Sequence, residues 1–255
     1  MEYAGNIHEF YAPSGNVYAI REQNGSDDDT LSNSVDAKTL KNFAKFISSI
    51  VINTTYTKSG KLSVEEAYNM PVLDKYCILL NSRIHSIGAE LEFTHDWGDD
   101  GGKQGYVLDL NQLLFDYSKV PTAEELVEKD DAIPYYPEHE SGKHKDIPFT
   151  IGNKEFLFDR FTTKSEAYIL SLPQDQMTKN KDLIARNLRF KAENGNWDKV
   201  TNFSFFTLKE MIEIRKYVNQ YDPVFTGQIQ IQNTAGTKSY VNIFGLPGFF
   251  YPGEM

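Results

Sequence analysis

An α+β fold, with several helices packed on small antiparallel β-hairpins, is predicted by three observations. Segments with apolar residues three and four apart alternate along the chain with short runs that alternate apolar and polar. Turn-forming residues separate the paired runs. A helix followed by a hairpin also occurs twice, which predicts an internal duplication. The first copy is a helix over 71–87, then Glu90-Leu91-Glu92-Phe93 and Tyr106-Val107-Leu108-Asp109-Leu110. The second is a helix over 208–220, then Gln228-Ile229-Gln230-Ile231 and Tyr240-Val241-Asn242-Ile243-Phe244. Period-two alternation gives each hairpin one apolar face that must cover something.

Taken in order, Pro13-Ser14-Gly15-Asn16 forms a turn between two β-prone runs, so 10–21 opens the chain as a hairpin, and Asn24 to Asp29 breaks it as an acidic turn. Leu40, Phe43, Ala44, Ile47, Ile50 and Val51 then mark one amphipathic helix, with 53–60 as its exit loop. Ser63 and Glu66 have capping-box spacing, Pro71 opens the 71–87 helix and Gly88 ends it. Thr122 and Glu125 cap a short helix. Residues 130–148 hold three prolines, several acids, His139 and His144 without apolar periodicity, and predict an exposed linker or arm. A hairpin over 149–158 turns at Gly152-Asn153. Thr163 with Glu166 predicts a capped helix, 182–189 another, and Thr207 with Glu210 caps the last. Two domains, 1–129 and 149–255, follow from this division.

Composition limits the function classes. The chain has 255 residues, 40% of them hydrophobic and 13% aromatic, enough for a core without staples. Its net charge of −10, from 36 acids against 26 bases, argues against nucleic acid or an anionic membrane as partner. The densest basic group, Lys179, Lys181, Arg186, Arg189 and Lys191, is broken by Asp182 and reads as a solvated helix face. Cys77 is the single cysteine, in an apolar run, and reads as a small buried hydrophobe. No signal peptide or bilayer-length apolar run is present, which predicts a reducing cytoplasm.

Chemistry-bearing motifs are scarce. The loops after the two duplicated strands, Thr94-His95-Asp96-Trp97 and Gln232-Asn233-Thr234-Ala235, lack the cysteine pairs of a zinc ribbon. Asp96, Asp99 and Asp100 with nearby glycines suggest a calcium loop but do not follow EF-hand order, and Asp27, Asp28 and Asp29 read as a plain acidic turn. His139 and His144 read as ordinary loop polarity. No phosphate loop, dinucleotide fingerprint or nucleophile elbow occurs. No catalytic residue, metal site or cofactor is therefore assigned, and no small-molecule partner is expected. An enzyme built from dispersed carboxylates such as Glu92 and Asp109 is the third-ranked alternative. The closing Gly245-Leu246-Pro247-Gly248-Phe249-Phe250-Tyr251-Pro252 either plugs the core or faces a neighbour. Leu246, Phe249, Phe250 and Tyr251 are the interface candidates.

Several stretches carry a family resemblance. Pro13-Ser14-Gly15 followed by Val17-Tyr18-Ala19-Ile20-Arg21-Glu22, Leu73-Asp74-Lys75 followed by Leu79-Leu80-Asn81-Ser82-Arg83-Ile84, and Phe93 with Val107-Leu108-Asp109-Leu110 are among them. Together with Gly227 through Ile231 and Phe249-Phe250-Tyr251-Pro252, they resemble baseplate-hub and tail-assembly proteins of contractile-tailed bacteriophages. The chain departs from that group in lacking hairpin-loop cysteines, so no metal follows from the resemblance. What it implies is a non-enzymatic structural or assembly component that docks to other phage tail or baseplate proteins, in the host cytoplasm and then in the virion tail. The main rival is an early, host-directed binding protein that never enters a particle.

Overall fold

The chain is an α+β protein. Its computed structural model describes residues 6–98, 101–136 and 144–250. Strands β1 (Ile7–Tyr11), β2 (Val17–Arg21) and β3 (Val51–Thr54) form an antiparallel sheet in that order. Helices α1 (Gly25–Leu31), α2 (Ser34–Ala37) and α3 (Lys41–Ile50) lie between β2 and β3. Next come α4 (Val64–Asn69) and α5 (Val72–Ser86), the hairpin β4 (Glu90–Asp96) and β5 (Lys103–Asp109), and α6 (Ala123–Glu128). A four-stranded antiparallel sheet joins β6 (Ile147–Ile151), β7 (Lys154–Phe158), β8 (Arg189–Lys191) and β9 (Trp197–Lys199). Helices α7 (Thr163–Ser171) and α8 (Lys181–Ala185) sit between β7 and β8, and α9 (Leu208–Tyr221) follows the sheet. The hairpin β10 (Gln228–Gln232) and β11 (Lys238–Asn242) and the short α10 (Pro247–Phe250) close the described chain.

Two apolar cores result. The larger collects residues from β1 to Tyr136 and also Phe225, Ile229, Ile231, Ile243, Phe249 and Phe250. The smaller packs Phe149, Phe156 and Phe158 against Leu183, Leu188, Met211, Ile214 and Val218. The C-terminal hairpin thus returns to the first core, so a second domain running from 149 to 255 is corrected: the second unit ends near Tyr221. In the described residues 130–136 and 144–148 the exposed-arm reading of 130–148 is corrected too. Ile133 and Tyr136 are fully buried, Tyr117 donates to the Ile133 carbonyl at 2.7 Å, and Ile147 already belongs to β6. His139 lies outside the described residues.

The predicted duplication is visible in the hairpins. Glu90 pairs with Asp109 and Gln228 with Asn242, and in each copy a 3₁₀ turn follows. Asp109 accepts from the Asn111 N–H at 2.9 Å, and Asn242 from the Phe244 N–H at 3.0 Å. The next residue bonds back to the residue before each first strand, Leu110 to Ala89 and Ile243 to Gly227, both at 2.9 Å. The hairpins also touch: Tyr106 Oη, which accepts from Trp97 Nε1 at 2.9 Å, donates to the Gln232 carbonyl at 3.2 Å. The helices of the two copies differ, because α5 is buried on every side while α9 buries only Met211, Ile214 and Val218.

Local sequence explains most elements, and three departures have physical causes. Asn24 and Asp27 form a capping box, so the expected acidic turn is α1, and Asp27 is buried in a bidentate pair with Arg21 at 2.7 and 2.9 Å. The single helix expected around 40–51 breaks at Leu40, whose φ of 56° is left-handed, and Val51 starts a strand. The helix over 182–189 stops at Ala185, because Arg189 joins the four-stranded sheet in β8, between β7 and β9.

The C-terminal aromatics sit inside the first core. Phe250 contacts Phe43 and Phe46 with ring centroids 6.0 and 6.4 Å apart, and Phe249 contacts Phe244 at 4.9 Å. Of the four interface candidates, Phe249 and Phe250 are buried as a plug, Leu246 is half-buried, and Tyr251 lies outside the described residues. Phe249→Ala is expected to lower unfolding free energy by about 3 to 5 kcal/mol in urea denaturation, and truncation after Gly245 to abolish cooperative unfolding. A soluble truncation with an unchanged midpoint would assign these rings to a partner.

Candidate functional site

Helix α5 crosses the first core with every residue from Val72 to Arg83 buried, including five polar ones. Buried polar groups need partners, and each of these finds one on a different element. Asp74 accepts from Ser14 N–H at 3.1 Å, Ser14 Oγ at 2.5 Å and Tyr18 Oη at 3.0 Å. This anchors the first hairpin turn, whose Ser14 and Asn16 are buried. Burial raises the Asp74 carboxyl to about 6, against the opposing pull of those hydrogen bonds and of Arg160. Asn81 meets His8 at 3.0 Å, Ser82 accepts from Gln23 at 2.8 Å, and Arg83 donates to the Gly88 and Glu90 carbonyls at 2.6 and 3.1 Å.

Lys75 points the other way, to the seam between the two units. Its ammonium pairs with Glu166 of α7 and lies 4.0 Å from the Tyr76 ring centroid, while Tyr76 Oη donates to the same carboxylate at 2.7 Å. Burial lowers the Lys75 pKa and Glu166 pulls it back up. The capping role expected for Glu166 is corrected: the N-cap is Thr162, one residue earlier than Thr163, and Glu166 is spent across the seam. A backbone bridge reinforces the junction, with Val72 N–H donating to the Phe161 carbonyl at 2.8 Å and Pro71 paired with Thr162. Arg186, expected on a solvated face, is fully buried and ion-pairs with Asp222, which also accepts from Phe161 N–H at 2.7 Å.

Two clefts open along this seam. One, of about 630 Å³, is chiefly apolar: Leu40, Phe43, Phe161, Ile169, Phe225 and Phe244 line it above Lys75, Tyr76 and Glu166. Leu170, Met177 and Val224 stand at its lining while 65%, 52% and 61% exposed. The second, of about 1040 Å³, is lined by more polar and charged residues, among them Tyr56, His144, Arg160, Ser165 and Asn187. Burial and the neighbouring Arg160 and Lys145 hold His144 down to about 4, largely neutral at pH 7.

Other sequence candidates are not assembled into a site. Glu92 and Asp109 are exposed and not cross-strand partners, since Glu92 faces Val107 in the ladder. Asp96 caps its own loop through the Gly98 N–H at 2.9 Å, while Asp99 and Asp100 lie outside the described residues. Burial pushes the Cys77 thiol well up, in keeping with a hydrophobic role. Among the described residues no three histidine, cysteine or carboxylate side chains converge, and no helix is long and apolar enough to cross a membrane. No family model, curated protein or solved structure matches this chain.

Removing the Glu166 carboxylate strands a buried ammonium, whereas removing the lysine leaves a carboxylate that retains Tyr76 and partial exposure. Glu166→Ala should therefore cost about 3 to 5 kcal/mol and Lys75→Met under about 1 kcal/mol in chemical denaturation. Equal losses would contradict the asymmetry. Asp74 sets a second test. Its folded pKa lies above the unfolded value near 3.9, so the folded state holds the extra proton in between, and stability falls as pH rises from about 4 to 6, by about 3 kcal/mol from this group. Asp74→Asn removes that slope, so the wild-type stability measured relative to the variant should decline through this window.

Proposed function

We propose that this chain is a non-enzymatic docking component of a contractile phage tail, assembled in the host cytoplasm and carried in the baseplate region. The observation that carries the docking reading is the apolar cleft at the seam, with Leu170, Met177 and Val224 left largely in water around it. Apolar pockets with exposed apolar margins suit the anchor side chains of a protein partner. Helix α9 adds Leu208 and Ile212, which with Phe205 are 75%, 56% and 74% exposed. The net charge of −10 favours a partner with a basic rim, mainly through encounter rate and specificity. The phage assignment rests on the sequence resemblance. The docking surface moves from the C-terminal aromatics to the seam, because Phe249 and Phe250 are already committed to the core.

Chemistry at the Lys75 amine is a second reading, favoured by the placement of a buried lysine and a tyrosine in a cleft. Against it stands the Glu166 carboxylate, which stabilises the protonated, non-nucleophilic form.

Purified tails should contain the chain by mass spectrometry. The double variant Leu170→Asp and Val224→Asp should fold normally, since both sites are exposed, yet disappear from tails. Absence of the wild type from particles favours the early host-directed alternative. Retention of the variant would overturn the cleft as docking surface.

A further inference from the structure

The polar cleft holds a buried charge that has no ion-pair partner among the described residues. Arg160 is only 6% exposed, and its guanidinium stacks 3.6 Å from the Tyr136 ring centroid. Among the described residues it takes part in no ion pair, and its Nε has no hydrogen-bond partner. Buried guanidinium groups are ordinarily paired, as Arg186 is with Asp222 and Arg21 with Asp27 in this same chain. Asp74 attracts Arg160 electrostatically, but its oxygens are engaged by Ser14 and Tyr18.

The rest of the cleft points the same way. Its three acids are already occupied: Asp159 by Arg189 and Asn187 at 2.7 and 2.9 Å, Glu65 by Asn69 at 2.7 Å and Lys164 at 3.8 Å, and Glu66 by Ser63 at 2.6 Å. Lys145 and Lys199 are exposed at its lining, and neither enters an ion pair among the described residues. Beside Arg160, His144 packs on Tyr56 with ring centroids 5.2 Å apart, and neither ring nitrogen has a hydrogen-bond partner among the described residues. An acidic protein has thus gathered a buried guanidinium and two exposed ammonium groups, none of them ion-paired among the described residues, along one cavity large enough for a small metabolite.

We propose that this cleft is a binding site for a small oxyanion-bearing molecule, with the planar Arg160 fork gripping a phosphate or carboxylate and Lys145 and Lys199 supplying the outer charge. The site stands apart from the docking cleft and does not depend on it. The ligand would bridge the two units, since Tyr56 belongs to the first and Arg160 to the segment that leads from β7 into α7 of the second.

Calorimetric titration of the full chain with inorganic phosphate, and separately with succinate, tells the two oxyanions apart. Saturable binding of one or both is expected, with the His144 ring protons shifting in NMR spectra during the titration. Arg160→Gln should weaken it by about tenfold or more, and Lys145→Gln with Lys199→Gln by a few fold with a shallower salt dependence. The lysine pair is exposed, so it keeps the test decisive if Arg160→Gln fails to fold. No saturable binding of either probe by the wild type overturns the proposal, as does binding that neither variant set changes. Binding that appears only with Glu138→Gln and Glu140→Gln also overturns it, because those carboxylates of the chain itself would then be the partners of Arg160.

Discussion

A helix buried on all sides has no wet face on which to put its polar residues, and α5 carries five of them in twelve consecutive buried positions. Leaving any one unpaired costs on the order of 1 to 3 kcal/mol, and more for a charge. The geometry of the rest of the molecule follows from meeting those demands. Asp74 draws in the first hairpin turn, Asn81 the strand that bears His8, Ser82 the segment before α1, Arg83 the entry to β4, and Lys75 the second unit through Glu166. Apolar packing supplies the drive to collapse. The polar groups of α5 select which elements may lie next to it and in what register.

The seam between the units shows the same logic at larger scale. Lys75, Arg186 and Asp222 are charges buried where two cores meet, and the backbone bridge from Val72 to Phe161 fixes their spacing. Because these interactions are polar and directional, they hold one arrangement and leave the apolar and polar clefts open beside it. A uniformly apolar junction would close over such space. The proposed docking surface and the proposed oxyanion site therefore both fall at the seam.

Much of the fold was legible because it depends on short-range signals. The boxes at Ser63 and Glu66, Thr122 and Glu125, and Thr207 and Glu210 all form as their spacing implies. The two hairpins and their closing turns follow from alternation plus Asp109 and Asn242 at equivalent places. What the sequence concealed was long-range. Thr163 and Glu166 have the spacing of a cap, but Thr162 competes for that role and Lys75, 91 positions away, claims the carboxylate. Arg186 looks like part of a basic surface until Asp222 is folded against it. Likewise Ile133 and Tyr136 lie in a proline-rich stretch without periodicity, and only the tertiary fold shows them filling the core. Asn24 to Asp29 read as a plain acidic turn until the structure shows Asn24 and Asp27 capping α1, and nothing local reveals that Arg160 is buried without an ion-pair partner among the described residues.

Native-state hydrogen exchange tests the organising role of α5 most directly. Amides from Tyr76 to Arg83 should be among the slowest in the protein and exchange only through global unfolding, with a denaturant dependence equal to that of the whole chain. Exchange of this segment through a local opening, while the β4–β5 and β10–β11 hairpins remain protected, would contradict the account.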